Sequence, residues 1–211
     1  MKTSLSKIVA GGTKRDIISA INYLRLTGTF VEVGTFNGEF AEKICRFSQP
    51  SRLFCIDPYE SYGEFRDCIN DLNLEDIYAS TRARLDIFSD RIEFLRKFSK
   101  EAALDFKDHT LDFVYIDANH QYKFVLEDIV AWYPKVRVGG LLCGDDAVDT
   151  DDSKRNAEGD VEIVWERNDQ GRPKIWGTYG IIKAVKEFAG NYNVEAIISG
   201  TQWLIQKSSE S

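Results

Sequence analysis

The stretch LDFVYIDANHQY, residues 111–122, places Asp117, Asn119 and His120 directly after an apolar run from Leu111 to Ile116. Such a run reads as a buried strand, so a carboxylate, an amide and an imidazole arrive together where that strand leaves the core. An imidazole with an ordinary pKa of about 6.5 can take a proton near neutral pH. Three other strand ends carry related groups. In VEVGTFNGEFA, Glu32 precedes a tight strand-to-helix turn made of Gly34, Thr35, Phe36, Asn37 and Gly38. Its glycines permit positive φ and let a ligand approach the backbone. RLFCIDPY ends on Asp57, 23 residues after Gly34, where a carboxylate can accept two hydrogen bonds from a ribose diol. GGLLCGDD ends on Asp145 and Asp146. Each feature has a plain alternative: an ordinary βα turn, an Asp-Pro turn, a helix-capping histidine, an acidic pair that merely opens a polar loop. The chain has neither the G-x-G-x-x-G dinucleotide fingerprint nor the G-K-[ST] ending of a P-loop.

The elements that must position these residues alternate. RDIISAINYLRLT (15–27) spaces Ile17, Ile18, Ile21 and Leu24 as a helix. Phe30 to Val33 form a strand, EFAEKICRF a helix with Phe40, Ile44 and Phe47 on one side, and RLFCIDPY a second strand closed by Asp57-Pro58. A polar helical region covers about 63–87, RIEFLRKF a third strand, LDFVYI a fourth. YKFVLEDIVAWYPKV is a helix with Val125, Ile129 and Trp132 in phase, ended by Pro134. GGLLCGDD is a fifth strand, entered through Gly139-Gly140. The rhythm breaks over 145–176, where a polar acidic stretch is followed by two strands around a turn at Asn168 to Gly171. A helix over 178–189 and the strands NVEAIIS and TQWLIQK close the chain, and the short link between those two requires antiparallel pairing.

This order predicts one α/β domain over residues 1–211: a doubly wound, mainly parallel seven-stranded sheet with a C-terminal antiparallel strand, and a 145–176 loop and hairpin insert near the site. In such sheets ligands bind beyond the carboxyl ends of the strands, at the point where strand order reverses. All four strand ends described above face that edge.

Composition narrows the partners. With 34 acidic against 27 basic residues and a net charge of −7, the chain has no electrostatic footprint for nucleic acid or an anionic membrane surface. No apolar run is long enough to span a bilayer, and the N-terminus has no signal-peptide core. Cys45, Cys55, Cys68 and Cys143 show no metal spacing and read as reduced thiols of a cytoplasmic protein.

Taken together, E-V-G-T-x-x-G, I-D-P, and D-x-x-H followed by G-G and an acidic pair resemble a class I S-adenosylmethionine-dependent methyltransferase. Within that class the pattern is most similar to the O-methyltransferases that include macrolide-sugar enzymes. The resemblance spans roughly residues 28–147. It implies that Gly34, with Glu32, Thr35, Phe36, Asn37 and Gly38, cradles the methionine part of the cofactor. Asp57 would hold the ribose hydroxyls, Tyr59 would lie against the adenosine, Ser99 would meet the adenine edge, and Asp117 and Asn119 would complete the cofactor site. Asp117, Asp145 and Asp146 would bind a metal, and His120 would be the general base. Three converging carboxylates suit a hard cation such as Mg²⁺ better than zinc. The implied acceptor is a hydroxyl of a small molecule, a sugar or natural product among the options, with a homo-oligomer left open.

Two readings compete: a methyltransferase that needs no metal, or a cofactor-binding protein that transfers nothing. A nucleotide-sugar or NAD enzyme on a similar sheet is a third, disfavoured by the missing fingerprint. The acids Asp149, Asp151 and Asp152 read as solvated, and Trp165 and Trp176 as core residues or a wall of the acceptor site. The insert itself reads as a lid, a dimer contact, or both.

Overall fold

The structure, a computed structural model, describes residues 4–61, 72–148, 161–167 and 173–208, with 161–167 and 173–178 described by backbone alone. Its helices are α1 (Leu5–Ile8), α2 (Lys14–Tyr23), α3 (Glu39–Phe47), α4 (Leu74–Leu85), α5 (Ser99–Ala103), α6 (Tyr122–Trp132) and α7 (Ile181–Tyr192). Its strands are β1 (Thr29–Val33), β2 (Arg52–Ile56), β3 (Ile92–Leu95), β4 (Leu111–Ile116), β5 (Val136–Gly144), β6 (Val161–Arg167), β7 (Pro173–Tyr179), β8 (Ala196–Ser199) and β9 (Gln202–Gln206).

Seven strands form one sheet in the order β3-β2-β1-β4-β5-β9-β8. Strands β1 to β5 pair in parallel, and β9 runs antiparallel to both β5 and β8. The predicted mainly parallel sheet with an antiparallel C-terminal strand is the one observed. Every residue of β4 is buried, as expected of a central strand covered on both faces. Side chains alternate between two cores. Val31, Val33, Val114 and Ile116 pack with Val125, Ile129 and Trp132 of α6 and with α7. Phe30, Phe113 and Tyr115 pack with Ile17 and Ile21 of α2 and with Phe40 and Ile44 of α3. Because β1 has a period of two, Glu32 shares the face of Phe30 and looks toward α2 and α3.

Two details depart from expectation. Phe47, at the last residue of α3, is 63% exposed, because it lies past the part of the helix that covers the sheet. Strand β5 begins at Val136, before the glycine pair, with Val136 opposite Leu111. Gly139 has φ +79, and a Cβ on Gly140 would lie 2.7 Å from Asp112 O. The two glycines thus serve an irregularity within the strand and do not start it. The polar helix begins at Leu74, and residues 62–71 lie outside the described residues.

Strands β6 and β7 pair antiparallel as a separate two-stranded sheet. The predicted turn at Asn168 to Gly171, the acids Asp149, Asp151 and Asp152, and Cys68 lie outside the described residues, and Trp165 and Trp176 outside the described side chains. Cys45, Cys55 and Cys143 are buried free thiols. Among the described residues no helix is long and apolar enough to cross a membrane.

Candidate active site

Strand order reverses between β1 and β4, so the crevice expected at a switch point opens beyond Val33 and Ile116. The two strand ends touch there. Gly34 has φ +85, and a Cβ on it would fall 2.0 Å from the carbonyl oxygen of Asp117. Only glycine fits this position. A cavity of about 420 Å³ lies at these ends, and its wall includes Gly34, Phe36, Asp57, Ser99, Asp117 and His120. That volume suits a nucleoside-sized ligand.

Some of the predicted cofactor residues line that wall and others brace it. Asp57 accepts hydrogen bonds from the N–H of Phe36 and of Tyr59, both at 2.8 Å. Burial nonetheless pushes its carboxyl above the ordinary value. Tyr59 is buried, and its hydroxyl donates to Phe36 O at 2.9 Å, as does the Thr81 hydroxyl at 2.7 Å. Tyr59 therefore braces the turn after β1 and is not part of the cavity wall. Phe36 and Tyr59 both hold positive φ, as does Asp146. Such backbone persists only where neighbours over-determine it. Thr35 is buried, and its N–H donates to Ile56 O. Asn37 Oδ1 accepts from Glu39 N and Gly38 caps α3, so both start that helix. Asn119 is buried and accepts from Gln121 N, while its Nδ2 has no hydrogen-bond partner among the described residues. Ser99 Oγ accepts from Trp132 Nε1 at 2.9 Å and also bonds the buried Asp128.

Glu32 is buried, and its Oε2 has no hydrogen-bond partner among the described residues. Burial, and then the nearby Asp117 charge, push its carboxyl up to about 8, so it carries a proton at neutral pH.

The acidic cluster differs from the predicted trio. Asp145 Oδ1 accepts from Thr201 Oγ1 at 2.7 Å, from Gln202 Nε2 and from Asp146 N. Gln202 is in turn held by the Tyr115 hydroxyl at 2.7 Å. The other oxygen of Asp145 meets Lys14 Nζ at 3.0 Å, and the same ammonium lies 2.7 Å from Asp117 Oδ2. Asp145 is thus spent on structural partners. The group that converges on one point is Asp117, His120 and Asp146, with ligand atoms within 4.8 Å of one another.

His120 Nε2 lies 3.1 Å from Asp146 Oδ2 and 3.8 Å from Asp117 Oδ1, without the alignment of a hydrogen bond to either. Its ring stacks on Tyr179 at 4.7 Å, and its carbonyl accepts from Gly180 N. The end of the hairpin arm therefore packs against the candidate base. Burial disfavours the imidazolium, but the two carboxylates outweigh it and hold His120 up at about 9. The Asp117 carboxyl is held below its ordinary value, since His120 and Lys14 outweigh its burial.

A family model described as a methyltransferase domain matches residues 31–147. The chain belongs to this methyltransferase family. The matched segment runs from β1 through the acidic pair after β5, the part of the methyltransferase that carries the four strand ends. A curated relative, an uncharacterized protein of Acanthamoeba polyphaga mimivirus, is 26% identical over 125 residues, or 57% of this chain. The chain spans about half, 52%, of that relative's length. Among solved structures, a Staphylococcus aureus protein provisionally assigned as a caffeoyl-CoA O-methyltransferase superposes with a TM-score of 0.59 at 15% identity, covering 92% of this chain and 82% of that one. A Geobacter sulfurreducens methyltransferase gives 0.54 at 15% identity, over 93% and 78% of the two chains. Burkholderia thailandensis 1,6-didemethyltoxoflavin-N1-methyltransferase, solved with S-adenosylhomocysteine, gives 0.55 at 11% identity, over 94% and 80%. These likenesses establish the class I methyltransferase fold.

Lys14 is the site residue that sequence reasoning missed. One signal was available: a lysine at the first position of a helix opposes the helix dipole, which favours acids there. The T-x-x-D capping box of Thr13 and Asp16 marks that position in the sequence.

Proposed function

We propose that this methyltransferase transfers a methyl group from S-adenosylmethionine to a hydroxyl of a small molecule, such as a sugar or glycosylated natural product. His120 is the base, and Mg²⁺ assists. The observation that carries this reading is the gathering of Gly34, Asp57, Ser99, Asp117 and His120 around one cavity at the switch point.

The cofactor fits these residues. Gly34 leaves room where any Cβ would collide, and Asp57, having accepted two N–H bonds, keeps lone pairs for the ribose hydroxyls. When bound, S-adenosylmethionine supplies an electrophilic methyl group on a sulfonium. The protein must align that carbon with the acceptor oxygen, and alignment of this kind contributes up to roughly 7–11 kcal/mol in favourable cases. Ser99, fixed between Trp132 and Asp128, lines the cavity and offers a polar contact for the adenine edge.

A divalent cation also fits, in a narrower set than expected. Asp117 and Asp146 are the oxygen donors that would hold it, because Asp145 is already satisfied. Such an ion lowers the pKa of an acceptor hydroxyl and positions it. His120 remains charged at neutral pH while both carboxylates lie beside it. It accepts a proton only once Asp117 and Asp146 engage another partner. The stacking of Tyr179 on His120 supports an acceptor site beside the end of β7, within a single domain. The buried thiols Cys45, Cys55 and Cys143 support a reducing, cytoplasmic setting.

The decisive experiment is a labelled-methyl assay over a panel of hydroxylated acceptors. Loss of turnover on chelation and in His120→Ala is expected. Turnover that survives both would overturn the roles given to the metal and the base. S-adenosylhomocysteine should raise the melting temperature, and Asp57→Ala should abolish that shift. No shift at millimolar ligand would overturn the methyltransferase reading itself.

A further inference from the structure

The ammonium of Lys14 occupies a built position. It bridges carboxylates from two different strand ends, at 2.7 Å to Asp117 Oδ2 and 3.0 Å to Asp145 Oδ2. It also lies over the rings of Phe40, at 5.4 Å, and Tyr115, at 5.7 Å. Two aromatic faces and two carboxylates are what a cation site offers. The backbone beneath it is anchored by the Thr13–Asp16 capping box. The side chain is only 31% exposed, so Lys14 is committed to this contact and does not trail in solvent.

We propose that Lys14 is a resident counter-cation that competes with a divalent metal for the Asp117 carboxylate. This rests on the reading of Asp117 and Asp146 as metal-holding residues given above. The reason is electrostatic. Two cations cannot share one carboxylate at contact distance in a partly buried site without strong repulsion. While Lys14 holds Asp117 Oδ2, the oxygen of Asp117 that faces His120 is Oδ1, so a metal held with Asp146 sits across one carboxylate from the ammonium. Metal binding at Oδ1 is therefore weakened while Lys14 stays, and the four-carbon stem of Lys14 allows it to swing outward and relieve the repulsion. With Lys14 in place, the site keeps its carboxylates neutralised without metal, and metal binding becomes conditional.

The test is Mg²⁺ titration by calorimetry and thermal shift on the intact wild-type protein, Lys14→Met, Lys14→Arg, and Lys14→Met combined with Asp117→Asn. Lys14→Met should bind Mg²⁺ at least about tenfold more tightly than wild type. Adding Asp117→Asn should erase that gain. Lys14→Arg keeps the charge and should stay near the wild-type affinity. A wild type that binds Mg²⁺ as tightly as Lys14→Met would overturn the proposal. So would a folded Lys14→Met that gains nothing, or a Lys14→Arg variant that gains as much. If Lys14→Met does not fold, Lys14→Gln, which also removes the charge, is titrated in its place: a gain in Mg²⁺ affinity over wild type supports the proposal, and no gain overturns it. S-adenosylhomocysteine, titrated into the same proteins, reads the donor site separately. Its failure to bind would remove the methyltransferase reading while leaving the Mg²⁺ comparison intact.

Discussion

His120 reaches Asp146 at 3.1 Å and stacks flat on Tyr179, so its ring has little freedom to turn. Removing His120, the base proposed above, should lower kcat by roughly 10²–10⁴-fold. We expect that loss in His120→Ala, with a smaller change in S-adenosylhomocysteine affinity, measured by steady-state kinetics and calorimetry. Asp128 gives a stability signature that is independent of turnover. It is buried in α6 against Ser99, and burial raises its carboxyl to about 7. An acid whose folded pKa is raised keeps its proton on folding. Stability is therefore unaffected below its ordinary value near 3.8 and falls as pH rises from there to about 7. The full effect is on the order of 4 kcal/mol. Melting curves across this range should show a decline in wild type that Asp128→Asn reduces, the raised Glu32 carboxyl accounting for part of what remains, and equal declines in both would contradict it. At this scale Asp57, Asp117 and His120 were legible, because each follows an apolar run and its type limits its chemistry. Lys14 was not, since its partner Asp117 lies 103 positions away.

The turn between β1 and α3 is where the elements constrain one another most. Gly34→Ala would force a Cβ to 2.0 Å from Asp117 O at a φ of +85. We expect a loss of more than about 2 kcal/mol from strain and overpacking, read by denaturant unfolding. Donor binding should fall with it, because the collision separates β1 from β4. The N-terminus of α2 is a milder case. Thr13 accepts from Asp16 N, and the Asp16 side chain returns the bond. Thr13→Ala should cost about 1 kcal/mol by the same measurement. A shift much smaller than that would mean that tertiary contacts, not the cap, fix the start of α2. Most elements were readable from periodicity: the apolar run of β4, the i, i+4, i+7 spacing of Val125, Ile129 and Trp132. The start of β5 was misread because glycines usually mark ends, whereas Gly139 and Gly140 lie inside this strand.

The whole molecule brings four separated strand ends to one edge, and that arrangement makes ligand binding a property of the fold. A donor analogue at a hundred times its Kd should stabilise the protein by about 2.7 kcal/mol through mass action. A melting shift that grows with the logarithm of S-adenosylhomocysteine concentration is the expected result, and a flat response would contradict a preformed site. Sequence alone determined the kind and order of the elements, the parallel sheet and the edge that carries the chemistry, since these follow from local periodicity and from short, right-handed connections. Tertiary structure alone decided which acid faces which base. Asp145 and Asp146 are neighbours in the chain, yet one is held by Lys14, Thr201 and Gln202 while the other meets His120. Adjacent residues at a strand end point in different directions, and an ion pair forms with whatever the packing of distant elements brings within reach.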